Sequence, residues 1–213
     1  APIVDMGMDM AAPKACELDL PAMMNPLDAP TTFGLYRGVE EGASVKYLGI
    51  PYAAPPVGEL RWRPPEAPAC VNEVQVASDF GEKCMQVAEN GDIIGSEDCL
   101  TLNVWRPSQK PTADDLRPVM LFIHGGGNVQ GSSSEDISEN NPLYDGHYLV
   151  DRHDVVVVSI NYRLGPFGFL ALDAFAAESE QGSAGNYGLL DQIAALEREL
   201  HGADLAGDQP ARD

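Results

Sequence analysis

The sequence predicts an α/β fold with a mostly parallel central sheet, and three neighbouring features carry that expectation. The run Val119–Ile123 is apolar at every position and residues 155–162 nearly so, which suits strands covered on both faces of a parallel sheet. Between them, residues 142–152 offer Tyr144, Tyr148, Leu149 and Val150 as the apolar side of a short helix, giving a strand, helix, strand unit. The first run ends abruptly in His124, Gly125, Gly126 and Gly127, with Gly131 and Ser132 close behind. Glycines at a strand end leave backbone N–H groups uncovered by any Cβ, and such groups can hold a developing oxyanion. Taken alone, the same residues are equally compatible with a plain glycine-rich turn.

The remaining elements follow in chain order. Residues 1–32 scatter Met6, Met8, Met10, Met23 and Met24 among alanines and prolines with no sustained period, and are expected to form a loosely attached arm. Residues 34–39 and 44–50 alternate apolar and polar on either side of residues 40–43, a hairpin signal. Residues 51–68 are a proline-rich loop, in which Pro55-Pro56 and Pro64-Pro65 exclude helix and sheet interiors. A further strand is expected over residues 100–106. Asn186 is placed to cap a helix whose Leu189, Leu190, Ile193, Ala194, Leu196 and Leu200 follow helical spacing, with Gly202 as its stop. Residues 203–213 form a polar tail without pattern.

The 213 residues suffice for one sizeable core, and 44% hydrophobic content is that of a globular chain. No apolar segment approaches the roughly 20 residues that span a bilayer. A formal charge of −20, from 33 acidic and 13 basic residues, opposes binding to nucleic acid or an anionic membrane. Cys16, Cys70, Cys84 and Cys99 contain no C-x-x-C pair and no histidine at ligand spacing, so no zinc site is expected. An even cysteine count in an acidic chain beginning with Ala1 fits a mature exported protein, extracellular or periplasmic, in which disulfides form.

Several segments, read together, resemble the type-B carboxylesterase and cholinesterase family. Residues 47–53 read Tyr-Leu-Gly-Ile-Pro-Tyr-Ala, followed by Pro55, Pro56, Val57 and Gly58; residues 61–65 read Arg-Trp-Arg-Pro-Pro; residues 96–105 read Ser-Glu-Asp-Cys-Leu-Thr-Leu-Asn-Val-Trp. His124-Gly125-Gly126-Gly127 follows, then Asn161-Tyr162-Arg163-Leu164-Gly165, and residues 185–192 read Gly-Asn-Tyr-Gly-Leu-Leu-Asp-Gln. The resemblance covers residues 33–196 and implies an incomplete α/β-hydrolase fold: an N-terminal β-hairpin and the first strands of the central sheet. It divides the chain into the arm, an N-terminal part of the family's domain over residues 33–202, and the divergent tail.

By this resemblance Gly126 and Gly127 donate the oxyanion-hole N–H groups, while His124 and Gly125 shape the turn. The family's serine nucleophile, in a Gly-x-Ser-x-Gly elbow, and its acid and histidine partners would lie beyond the end of this sequence. The nearest local match, residues 181–185, has Gln181 where the elbow needs its first glycine and no buried strand before it, so Ser183 is expected to be a loop residue. The resemblance also implies a Cys84–Cys99 disulfide and two buried ion pairs, Arg61 with Glu97 and Arg163 with Asp191, the alternative being separately solvated charges. Cys16 and Cys70 could form a second bridge, on parity alone. His147, His153 and His201 are expected at the surface.

The function implied is the N-terminal portion of a serine carboxylic-ester hydrolase, inactive alone, with a carboxylic ester as substrate of the complete protein and no cofactor or metal. Residues 85–98 contain no aromatic side chain to face a quaternary ammonium, which disfavours a choline-ester specialist. The alternatives are a non-catalytic binding or adhesion protein of the same fold, and one half of a split esterase whose C-terminal half is supplied separately. The resemblance also implies, from the family's sheet order, that the nucleophile strand lies directly beside the strand Val119–Ile123, so the edge of that strand is expected to be unpaired and apolar here.

Overall fold

The computed structural model describes residue 16 and residues 25–109, 117–138, 141–179, 182 and 184–201. Residues 1–15 and 17–24 of the expected arm, Ser183 and the tail lie outside the described residues; the end of the arm is not loose, because residues 28–30 form a paired strand with Asp28 and Ala29 buried.

Strands β1 (Asp28–Pro30) and β2 (Gly34–Arg37) pair antiparallel, and β5 (Val71–Val76) joins β2 in parallel to complete a small sheet. The predicted hairpin is present, but its first arm is β3 (Val39–Glu41), which pairs with β4 (Ser44–Pro51) across a turn where Gly42 has φ +62°. Residues 34–37 depart to β1 and β5. Gly38 marks the division, because a Cβ there would lie 2.7 Å from Val45 and 2.8 Å from the Lys46 carbonyl.

The main sheet runs β3-β4-β8-β12-β9, with β8 spanning Thr101–Pro107, β9 Val119–Ile123 and β12 Val156–Ile160. Its β3, β4, β8 and β12 neighbours pair antiparallel, and the parallel part begins where β12 meets β9 in register, Val156 opposite Val119 through Ile160 opposite Ile123. Short pairs flank the sheet: β6 (Gln86–Val87) with β7 (Ile93–Ile94), and β10 (Asp136–Ser138) with β11 (Asn141–Pro142).

Strand alternation divides the core into two layers. Val45, Tyr47, Val104, Val156, Val158 and Ile160 pack on one face together with Ala194 and Ala195 of α4 (Tyr187–His201). Leu48, Trp105 and Val157 pack on the other with Val150 of α1 (His147–His153). The helix expected over residues 142–152 therefore starts later, since Asn141 and Pro142 are held by β10. It ends where Asp154 turns left-handed at φ +51°. Helices α2 (Gly165–Phe169) and α3 (Asp173–Glu178) occupy the segment before α4.

Two expectations need correction. Strand β9 is not covered on both faces: Val119, Met120, Phe122 and Ile123 are 47%, 50%, 39% and 41% exposed, because it ends the sheet and no described strand pairs with its far edge. On α4, the periodic residues Leu189, Ile193 and Leu196 form an exposed apolar stripe, while Asp191, Ala194 and Ala195 face inward. Asn186 precedes α4 in a left-handed conformation, φ +58°. Its carbonyl, rather than a side-chain cap, receives the first helical bonds from Leu189 and Leu190.

Candidate active site

The in-register pairing of β9 and β12 brings their C-terminal exits together, so His124 and Tyr162 meet. Their rings stack with centroids 4.5 Å apart, and the Tyr162 hydroxyl donates to the His124 carbonyl at 3.1 Å and to Asn128 Oδ1 at 3.3 Å. His124 is buried, and its Nδ1–H donates to the Gly125 carbonyl at 2.9 Å. Burial pushes its pKa below the ordinary 6.5, and its Nε2 has no partner among the described residues. The ring is enclosed beside the start of the glycine turn, with Nε2 buried rather than open to solvent.

Beyond His124 the chain makes a tight turn of exposed residues, 125–130, with Gly126 at φ +113°, Gly127 at +63° and Asn128 at +63°. The Gly126 carbonyl accepts from the N–H groups of Val129 and Gln130 at 3.2 and 3.3 Å. The N–H groups of Gly126 and Gly127 donate to no described residue. Gly126 is sterically obligatory, since a Cβ would lie 1.9 Å from the Gln130 carbonyl oxygen, whereas one on Gly127 would meet nothing within 4 Å. Free N–H groups beside left-handed backbone make a concave donor surface for an anionic oxygen.

The turn is anchored from several elements. Gly165 N–H donates to the Asn128 carbonyl at 2.7 Å, and Gln86 hydrogen-bonds the backbone of Gly131 in both directions. Behind it lies a buried polar network in which Asn161 Oδ1 accepts from Ser133 N–H at 2.8 Å and Asn103 donates to both Ser133 and Ser159 at 3.0 Å. Tyr162 and Asn161 lie in a segment that the sequence singles out without giving them a task. Gln86 has no local signal, because its partner is 45 residues away.

Arg163 and Asp191 form a buried pair, 3% and 0% exposed, with Nε and Nη2 bonds of 2.8 and 2.6 Å and a third bond from the Arg163 N–H at 3.0 Å. Burial pushes the Asp191 carboxyl up, and Arg163 pulls it back. The pair ties the exit of β12 to the first turns of α4. Arg61 and Glu97 also pair, at 2.5 and 2.6 Å, but are only partly buried, at 38% and 21% exposed. Disulfides join Cys84 to Cys99 and Cys16 to Cys70. His153 is exposed as expected. His147 is instead part-buried against Asp145 and Tyr148, and the His201 side chain lies outside the described residues.

Glu41, Asp145 and His147 each bring a ligand atom within 4.8 Å of the others. Lys46 pairs with Glu41 at 3.0 Å and His147 Nδ1 lies 2.9 Å from Asp145 Oδ1, so contacts within the protein account for the cluster. A hollow of about 940 Å³, lined by Glu40, Arg117, Asp151 and Asp154 among others, lies at the opposite end of β9 and β12 from the glycine turn. No described helix is long and apolar enough to cross a membrane.

A mixed sheet becoming parallel at β12 and β9, with a glycine turn at the C-terminal strand end, is the beginning of an α/β-hydrolase fold. A solved PNB esterase superposes with a TM-score of 0.73 at 39% identity, over 87% of this chain and 36% of that one. The family model described as the carboxylesterase family matches residues 28–197, and the chain belongs to that family. It is 40% identical over 206 residues to the fumonisin B1 esterase of Sphingopyxis macrogoltabida, covering 95% of this chain and 36% of the relative. It is also 40% identical over 189 residues to the para-nitrobenzyl esterase of Bacillus subtilis (strain 168), covering 84% and 35%. The chain thus spans little more than a third of the length of these relatives.

Proposed function

We propose that this chain is the oxyanion-hole portion of a serine carboxylic-ester hydrolase. The N–H groups of Gly126 and Gly127 receive the charge that builds on the ester carbonyl oxygen during attack, while the nucleophile, acid and histidine come from sequence outside these 213 residues. The isolated chain is then inactive. The observation that carries this reading is the pair of exposed, unengaged N–H groups at the end of β9, beside a Gly126 conformation that no other residue can adopt. The substrate is a general carboxylic ester rather than a choline ester, since residues 85–98 offer no aromatic face to a quaternary cation. The disulfides favour an extracellular or periplasmic location.

The exposed edge of β9 supports one further part of the proposal: the remainder of the domain, on the same chain or a separate one, adds its next strand there. Hydrolysis of p-nitrophenyl butyrate by the native protein, with and without a serine-directed organophosphate, tests the reading. Turnover abolished by the inhibitor in a species larger than this chain supports it. An inhibitor-insensitive or inactive larger species counts against it and favours the binding or adhesion alternative.

A further inference from the structure

We propose that Gln86 is the positioning residue of the glycine turn, setting through Gly131 where the Gly126 and Gly127 N–H groups stand. Its side-chain amide completes both halves of one backbone unit: Oε1 accepts from the Gly131 N–H at 2.8 Å, and Nε2 donates to the Gly131 carbonyl at 2.9 Å. Nε2 also donates to the Cys84 carbonyl at 3.0 Å, which fixes the plane of the amide. A single glutamine thereby substitutes for the neighbouring strand that Gly131 lacks.

Both ends of this clamp are restrained. On the glutamine side, β6 pairs Gln86 with Ile94, and Cys84, two residues away, is disulfide-bonded to Cys99, so the amide has little freedom to drift. On the turn side, Gly131 has φ +109°, and a Cβ on it would lie 2.5 Å from the Gly125 carbonyl oxygen and 2.7 Å from His124 Nδ1. The Gly131 backbone therefore rests directly against the first residues of the turn, and displacement of one displaces the other. Tyr162 and Gly165 hold the start and middle of the turn from the segment after β12, whereas Gln86 holds its end from an independent loop. Without the amide, the end of the turn loses its tie to that loop. Donors aimed at a transition-state oxygen lose effect steeply when misplaced.

The activity arm of the test rests on the hydrolase reading; the structural arm does not. In the native protein, Gln86→Met keeps the length and removes all three bonds, while Gln86→Glu keeps the acceptor and loses the donor. Hydrogen exchange at the Gly131 amide should accelerate in Gln86→Met and less so in Gln86→Glu, with thermal midpoints tracked alongside. For p-nitrophenyl butyrate, Gln86→Met should lower kcat about 10- to 100-fold with KM held within about twofold, and Gln86→Glu should fall between. Unchanged Gly131 exchange, a kcat loss that merely tracks the folded fraction, or faster exchange with unchanged kcat would each overturn the proposal. If the wild-type protein shows no turnover, the hydrolase reading fails instead, and exchange at Gly131 decides whether Gln86 clamps the turn.

Discussion

At Gly126 a methyl group decides between two geometries. An added Cβ would sit 1.9 Å from the Gln130 carbonyl, so Gly126→Ala must unfold the local turn and misdirect the donor beside it. Removing one oxyanion donor typically lowers kcat by about 100- to 1,000-fold, and that is the expected loss for Gly126→Ala, read as kcat on p-nitrophenyl butyrate in the native protein. Gly127→Ala meets no atom within 4 Å, so its penalty is the left-handed backbone alone, about 1–2 kcal/mol. The milder variant should keep its unfolding midpoint closer to wild type. His124 provides a second test at this scale. Burial holds its folded pKa below 6.5, so as pH falls through 6.5 the unfolded chain takes up a proton that the folded chain refuses. Its contribution to stability is neutral above that pH and increasingly unfavourable below it. Thermal midpoints at pH 7.5 and 5.5, values taken to bracket about 6.5, should differ more in wild type than in His124→Asn.

Among the elements, the long and strongly patterned ones were legible in the sequence: β8, β9, β12 and the run of α4 all lie where periodicity places them. The glycines of the candidate site were legible too, because a strand ending in bare backbone is a local signal. What escaped depends on distant partners. β5 has no sustained alternation, with Asn72 and Glu73 adjacent, and is a strand only by pairing with β2, while α2 opens on Gly165-Pro166, a pair that favours turns although proline suits a first helical turn. Gln86 is invisible for the same reason, since only the fold brings it to Gly131. Among the described residues the apolar side chains of β9 and of one α4 stripe stay exposed, so their pattern alone does not foretell where they are covered. The Cys84–Cys99 bridge, closing a separation of 15 residues, should contribute about 3 kcal/mol on the chain-entropy model. A Cys84→Ala, Cys99→Ala double variant should show that loss in denaturant unfolding, and an unchanged midpoint would mean that β6 and β7 hold the loop unaided.

For the whole molecule, the acidic surface and the apolar edge pull in opposite directions. A net charge of −20 keeps copies apart, while the edge of β9 invites strand addition. Expressed alone, these 213 residues should be poorly soluble, partly unfolded or dependent on a partner, and the attraction should strengthen as salt screens the charge. Sedimentation and thermal unfolding at low and high salt check this; a monomer with a sharp, reversible transition at both would contradict it.

The parallel register of β9 and β12 also has a bearing on synthesis. Both strands lie within one continuous stretch, and the residues that orient the turn, Gln86, Tyr162 and Gly165, all precede α4 in the chain. A ribosome that has delivered α4 has therefore already delivered every described contact that shapes the glycine turn. The order of translation lets the glycine turn set as soon as α4 has emerged.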